Sequence, residues 1–236
     1  MNTIRFSIII PVLHESERMH FLIDHLTNLE CNEGREIIVV DGSHDKDTIA
    51  AIKDKDVVKL SSGKGRARQM NAGASAARGE ILIFLHADTE LPAHAFAQID
   101  SIMKGNRYVA GAFSLGIRSE KFALRVLARV ASLRCRITRI PYGDQTIFIR
   151  RDYFMRIGGY RELPLMEDVE LMRRIKRRGN KVCILPDRVT TSARRWEQEG
   201  FIYCLLRNMT LFILYIMGVS PETLTRFYPD RRKSRF

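Results

Sequence analysis

The sequence lacks most of what would mark it as anything but an ordinary globular chain. It has four cysteines, Cys31, Cys135, Cys183 and Cys204, in 236 residues. None are spaced as a CxxC pair or a metal-binding knuckle. That excludes a disulfide scaffold and a zinc module, and it predicts reduced, mostly packed thiols in a cytoplasmic compartment. No repeat or low-complexity stretch is present, so a solenoid or a disordered linker is excluded. The N-terminus, MNTIRFSIIIPV, lacks signal-peptide anatomy, and its apolar run has the length of a strand. Acidic residues are short in supply: 27 Asp+Glu face 39 Lys+Arg, a formal charge of +12. Such a surface suits anionic partners, whether nucleic acid, acidic lipid headgroups or phosphorylated substrates.

What is present fits one α/β domain with a real core, followed by a helical appendage. Strands are predicted at 6–13, 36–40, 57–60 and 81–85. Between them, His14 to Leu29 and Arg66 to Ala77 carry helical periodicity. This alternation argues for right-handed βαβ units and a mainly parallel central sheet with flanking helices. Further strands are predicted at 108–115, 146–149 and 181–185, and helices at 121–133, 151–157, 168–178 and 201–219. The domain is expected to cover 1–196, and the helical extension with its basic tail 197–236.

Three strand tips carry polar residues: Pro11 to Glu15, Asp41-Gly42-Ser43, and His86-Ala87-Asp88. Strand carboxyl ends are where open α/β sheets bind ligands. A single such carboxylate reads equally as a cap or a turn; three on one rim converge on a site. One carboxylate there can accept from a base or ribose hydroxyl, and another can hold a hard divalent cation.

Other segments read two ways. The loop SSGKGRARQMNAG places Lys64, Arg66 and Arg68 at a helix start, either a solvated basic turn or an anion site. It is not a Walker A loop, because no GK[ST] occurs. Glu167-Asp168 in LPLMEDVEL are dipole partners at a helix start, or supply a general base. PYGDQTIF, with Gly143, Asp144 and Gln145, is a loop before a strand. SARRWEQEG carries the only tryptophan, Trp196.

The ordered motifs PVLHE, VVDGS, GRARQMNAG, FLHADT, GDQTIF, GGY, MEDVEL and RRW resemble family 2 glycosyltransferases of the GT-A fold, in particular small bacterial members with FLHADT and SARRWE. The resemblance spans about Ser7 to Trp196. It implies that Asp41 contacts the nucleotide base of a nucleotide-diphosphate sugar, with Pro11, Glu15, Ser43 and Ala87 lining the same pocket. Arg66 would sit near the base or diphosphate. Asp88 would ligate Mg²⁺ or Mn²⁺, and Asp168 would be the base for inverting transfer to a hydroxyl acceptor. Gly143, Asp144, Gln145, Glu167, Arg195 and Trp196 would line the acceptor and diphosphate region. Two departures stand out. His86 replaces the first Asp of Asp-x-Asp, and Ser192 replaces the Gln of Gln-x-x-Arg-Trp, which argues against a processive polymerase.

Two competing functions stay open on the sequence. Nucleotidyl transfer onto a sugar phosphate would bring a Gly-rich signature near the first strand, which IIIPVLHESE lacks. A non-catalytic module on an anionic surface is the other. Nucleic acid is excluded as a partner because no recognised motif or interleaved aromatic pattern accompanies the basic residues.

Residues 201–219 are apolar but interrupted by Arg207-Asn208, short of the ~20 residues a spanning helix needs. Three readings fit: a helix packed on the domain or on a homodimer mate, an interfacial membrane helix, and a poor transmembrane span. Seven basic residues and one acid lie between Arg118 and Arg139, beside Phe122, Val126, Leu127 and Val130. That pattern, with the tail cluster Arg231 to Arg235, predicts peripheral contact with the inner face of an anionic membrane and a lipid-borne acceptor.

Overall fold

The computed structural model describes residues 4–228; the side chain of Arg195 and the basic cluster at 231–235 lie outside the described residues. β1 (Ile4–Val12), α1 (Ser16–Asn28), β2 (Gly34–Asp41), α2 (Asp47–Ala51), β3 (Val57–Ser61), α3 (Arg66–Ala76) and β4 (Ile81–Phe84) alternate along the first third of the chain. Their strands lie side by side in the order β3-β2-β1-β4, all parallel. β1 sits at the centre because almost every residue on it is apolar. Phe6, Ile8 and Ile10 enter one core layer with α1, and Ile9 enters the opposite layer with α3. The period of two sends successive side chains to opposite faces. Each fully buried Ile or Phe stabilises the fold by roughly 1.5–3 kcal/mol.

The second half mixes directions. β5 (Thr89–Glu90), α4 (Ala95–Met103), β6 (Ala110–Arg118), α5 (Phe122–Thr138), a 3-10 turn at Gly143–Gln145, β7 (Ile147–Arg150), α6 (Arg151–Arg156), α7 (Glu167–Arg177) and β8 (Val182–Ser192) follow. β7 runs antiparallel between β4 and β6, β8 runs parallel to β6, and β5 closes the edge. α8 (Arg194–Glu199), α9 (Phe201–Ile216) and α10 (Pro221–Thr225) complete the described chain.

Three differences from the sequence reading have local causes. The last strand is expected to stop at 185, yet β8 continues to Ser192. Its pairing with β6 jumps from Phe113–Leu185 to Ser114–Arg188. A bulge therefore absorbs Pro186 and Asp187, the residues that look like a stop. α4 goes unread in the sequence, although Ala95, Phe96, Ile99 and Met103 bury one helical face. α5 extends five residues past the expected 133.

α7 illustrates why the site-bearing helix forms. Glu167, Asp168 and Glu170 occupy its first turn and Arg174, Lys176 and Arg177 its last, both complementing the helix dipole. Val169, Leu171, Met172 and Ile175 bury its inner face. At the chain end, α9 packs Phe212 and Tyr215 against the main core and Leu211 against Leu165 and Leu224. No helix among the described residues is long and apolar enough to cross a membrane.

Candidate active site

The parallel strands bring their carboxyl ends together. Val12 of β1 pairs with Asp41 of β2, and the Leu85 N–H beyond β4 donates to Ile9 of β1 at 3.0 Å. The Gln69 side chain fastens the rim, donating to the carbonyls of Val12 at 2.7 Å and Val40 at 2.8 Å. Nothing in the sequence singles out Gln69, because a glutamine on a helix is ordinary until tertiary structure buries it.

Asp41 is fully buried and fully used. One carboxylate oxygen accepts from the Ser43 N–H at 2.8 Å and the Ser43 hydroxyl at 2.7 Å. The other accepts from the N–H groups of Thr48 and Ile49 at the start of α2. Asp41 therefore shapes the loop over β2. That loop walls a cavity of about 790 Å³ lined by Leu13, His14, Gly42, Ser43, Ser61 and Lys64, among others. Pro11 is half-buried on β1 beside Val40. Glu15 donates its N–H to Thr48 Oγ1 at 3.1 Å, and its carboxylate lies 3.6 Å from Arg194.

A second group lies across the tip of β4. The Gly143 N–H donates to Asp168 Oδ2 at 2.6 Å, and the Val169 N–H donates to Asp168 Oδ1 at 2.7 Å. Arg66 Nε meets Glu167 Oε1 at 2.9 Å. A Cβ on Gly143 would stand 2.8 Å from His86 Nε2 and 3.6 Å from Asp168 Oδ2. Glycine is thus what allows the imidazole to lie against the turn. Four motifs far apart in sequence meet here: GRARQ, FLHADT, GDQTIF and MEDVEL.

Burial, and then the Glu167 charge beside it, push the Asp168 carboxyl up to about 7, against the pull of Arg66 and the two N–H donors. Glu167 and Asp168 together raise Arg66 in turn. The backbone is strained on both sides of this contact. Thr146 has φ 52° and Met166 φ 66°, left-handed values that cost a β-branched or bulky residue energy.

The remaining candidate residues fall as follows. Gln145 is buried and braces the turn, accepting from the Tyr142 N–H and donating to the Phe113 carbonyl at 3.0 Å. Asp144 is half-buried in the same turn, and Ala87 packs toward the α1–α4 layer. Asp88 is half-buried, and no described residue donates to its carboxylate; its carbonyl accepts from the Ser192 N–H at 3.1 Å. A short strand, not a helix, follows it, so Asp88 is no helix cap. Trp196 packs beside Phe201 against the β6–α5 layer. Arg195 is in α8, with its side chain outside the described residues. Among the described residues, one three-donor group could hold a metal: His14, Asp45 and Asp47, at the edge of the cavity and without Asp88.

The model of the family described as Glycosyl transferase family 2 matches residues 7–161. The chain is 26% identical over 222 residues to the probable glycosyltransferase YdaM of Bacillus subtilis (strain 168), covering 83% of this chain and 51% of that protein. It thus spans about half the length of this curated relative. Among solved structures, the mannosyltransferase PcManGT of Pyrobaculum calidifontis, in complex with GDP-Man and Mn²⁺, superposes with TM-score 0.64 at 20% identity, over 79% of this chain and 56% of that one. Staphylococcus aureus TarS, residues 1–349, superposes with TM-score 0.61 at 15% identity, over 89% and 66%. These likenesses establish a GT-A-like fold.

Proposed function

The chain belongs to glycosyl transferase family 2 and is an enzyme of the transferase type, and from that premise we propose that it moves a sugar from a nucleotide-diphosphate sugar to a hydroxyl acceptor with inversion at the anomeric carbon. The observation that carries the reading is the Asp168 carboxylate, poised near neutrality and held by the Gly143 N–H at 2.6 Å.

Asp168 is the general base. Its carboxylate takes the proton of the acceptor hydroxyl as that oxygen bonds to the anomeric carbon. The bond from that carbon to the diphosphate oxygen breaks with its electron pair on the leaving group. A base titrating near the working pH is both ionised enough and basic enough for this step. Glu167 raises the basicity and Arg66 restrains it. Arg66 spends its Nε–H on Glu167, and a guanidinium carries four further N–H donors for a departing diphosphate.

The cavity between the β1, β2 and β3 tips takes the nucleoside, with Ser43 in its wall; Asp41, expected to contact the base, is instead buried behind that wall and shapes it through Ser43, Thr48 and Ile49. Asp88 suits a divalent cation, Mg²⁺ or Mn²⁺: its carboxylate takes no donor from a described residue, and one carboxylate plus substrate phosphates is a usual Mg²⁺ donor set. When bound, the cation would neutralise charge on the leaving diphosphate. Two structural relatives, PcManGT and the transferase GalNAc-T7, are described as complexes with Mn²⁺ and with GDP-Man or with UDP and GalNAc. The first 196 residues would form the catalytic unit.

The test is product analysis with a panel of nucleotide-diphosphate sugars and hydroxyl acceptors, with Mn²⁺ supplied. A β-linked product from an α-linked donor is expected. A retained configuration, or release of pyrophosphate with a new nucleotide-sugar bond, would replace this mechanism with another.

A further inference from the structure

Helix α9 is apolar on both its faces, and its one charged side chain is turned inward. The positions it buries are Cys204, Arg207 and Leu211. The Arg207 guanidinium ion-pairs with Glu199 at 2.5 Å and lies over the rings of Tyr203 and Tyr228. Its outward positions are mostly apolar: Ile202, Leu206, Met209 and Ile213, with Met217 just past its end, are all at least 52% exposed, and Thr210 is an exposed polar residue among them. A helix on the surface of a water-soluble domain places its charge outward and its apolar side chains inward.

α5 repeats the arrangement. Its inner face is Leu124, Leu127, Ala128, Ser132 and Cys135. On the opposite face Phe122, Val126, Val130, Leu133 and Ile137 recur every three or four residues, all exposed. Lys121, Arg125, Arg129 and Arg136 are exposed along one flank of that stripe.

The two helices are neighbours. Phe201 and Leu205 of α9 pack into the cluster that holds Leu124, Leu127 and Ala128 of α5. Arg134 of α5 lies 5.6 Å from the Phe212 ring of α9 and 4.0 Å from the ring of Tyr142. The two helices meet at this cluster, and each turns an apolar face away from the core. Clustered exposed apolar side chains rimmed by charge mark interaction surfaces.

We propose that the outward faces of α5 and α9 together seat the protein on the surface of an anionic lipid bilayer, with both helices in the membrane plane. Charge complementarity selects this occupant. A basic flank beside an apolar stripe, on a chain of formal charge +12, matches anionic headgroups above an acyl interior. A second copy docked on the same face would bring basic flanks of the same sign together, which opposes association. The seat adjoins the acceptor side of the site, because Tyr142, stacked under Arg134, precedes the Gly143 that holds Asp168. An acceptor hydroxyl carried in the bilayer would then arrive beside the base. That last link rests on the transfer reading; the seat itself does not.

Co-sedimentation of the full chain with vesicles of phosphatidylcholine, alone or mixed with phosphatidylglycerol, tests the proposal. Partition into the anionic vesicles only, reversed by high salt, is expected. Neutralising both Arg125 and Arg129 with glutamine should weaken partition roughly thirtyfold at low salt. Leu206→Gln and Val130→Gln should each weaken it by about tenfold or more. These side chains are exposed, and circular dichroism confirms that each variant is folded. Equal binding to both vesicle types, no binding to either, or unchanged partition of the variants overturns the seat. So does a stable dimer in sedimentation equilibrium that Leu206→Gln dissolves. Nucleoside diphosphate binding, measured in parallel without vesicles, keeps the two readings apart: its loss with vesicle binding intact would count against sugar transfer alone.

Discussion

Arg66 at the start of α3 and Glu167 at the start of α7 form an ion pair of 2.9 Å, with Glu167 almost fully buried and Arg66 partly open. The pair ties the basic loop to the helix that carries Asp168. It also sets the electrostatics of that carboxyl, since Glu167 raises its pKa and Arg66 lowers it.

Asp168→Asn is expected to cut turnover by about 10²–10⁴, the usual worth of a general base, while donor binding stays near wild type. Steady-state kinetics with calorimetry of nucleoside diphosphate binding checks both halves. A variant that keeps most of its turnover removes Asp168 from the mechanism.

The pH profile should have an acid limb near neutrality, because the Asp168 carboxyl sits at about 7. The same shift has a stability consequence. A carboxyl raised in the fold binds its proton more tightly there than when unfolded, so stability is fully present below the unfolded value and is lost as pH rises through about 7. Thermal melts of the wild type should therefore fall as pH rises from the unfolded carboxyl range through about 7, and Asp168→Asn should remove that part of the pH dependence.

Removing either partner of the ion pair should move that limb in opposite directions. Arg66→Met takes away the cation that lowers the Asp168 pKa and shifts the limb to higher pH. Glu167→Gln takes away the anion that raises it and shifts the limb to lower pH. Arg66→Met should also cost about 1–2 kcal/mol by leaving Glu167 buried and unpaired, less than for a fully buried pair because the guanidinium is partly solvated. Activity profiles and urea melts of the two variants decide this.

Gly143→Ala places a methyl group 2.8 Å from His86 Nε2. Overpacking of this kind costs about 1–3 kcal/mol, and it should loosen the Gly143–Asp168 hydrogen bond and lower turnover. Adding His86→Gly removes the clash, so the double variant should recover part of the loss. Additive losses in the double-mutant cycle would mean that the ring and the turn are not coupled.

Asp88→Asn should abolish the dependence of nucleoside diphosphate affinity on Mn²⁺, and His86→Ala should do less. Titrations with and without the cation read this directly. Unchanged Mn²⁺ dependence in Asp88→Asn would move the cation to another site, for which His14, Asp45 and Asp47 are the candidates among the described residues.

The sequence by itself determined the parallel half of the fold and the family. Near-continuous apolar runs such as FSIIIPV and EIIVV have few alternatives to buried strands, and polar residues just beyond them mark a ligand rim. Such signals are local, so they survive without coordinates. The convergence of Gly143, His86, Glu167 and Asp168 was legible only as separate motifs, because their contact depends on β7 reversing direction beside β4. Gln69 and Tyr142 stand inside the segments GRARQMNAG and PYGDQTIF, but their roles exist only once they are packed against other segments. β8 runs on past Pro186, which reads as a stop in the sequence, because a bulge accommodates it. The sharpest case is α9. Along the sequence Arg207 interrupts an apolar run and leaves its setting open. Only the tertiary structure supplies Glu199 as an inward partner, and a buried charge needs such a partner. That pairing turns the helix's one charge inward and leaves Leu206, Met209 and Ile213 on the outside.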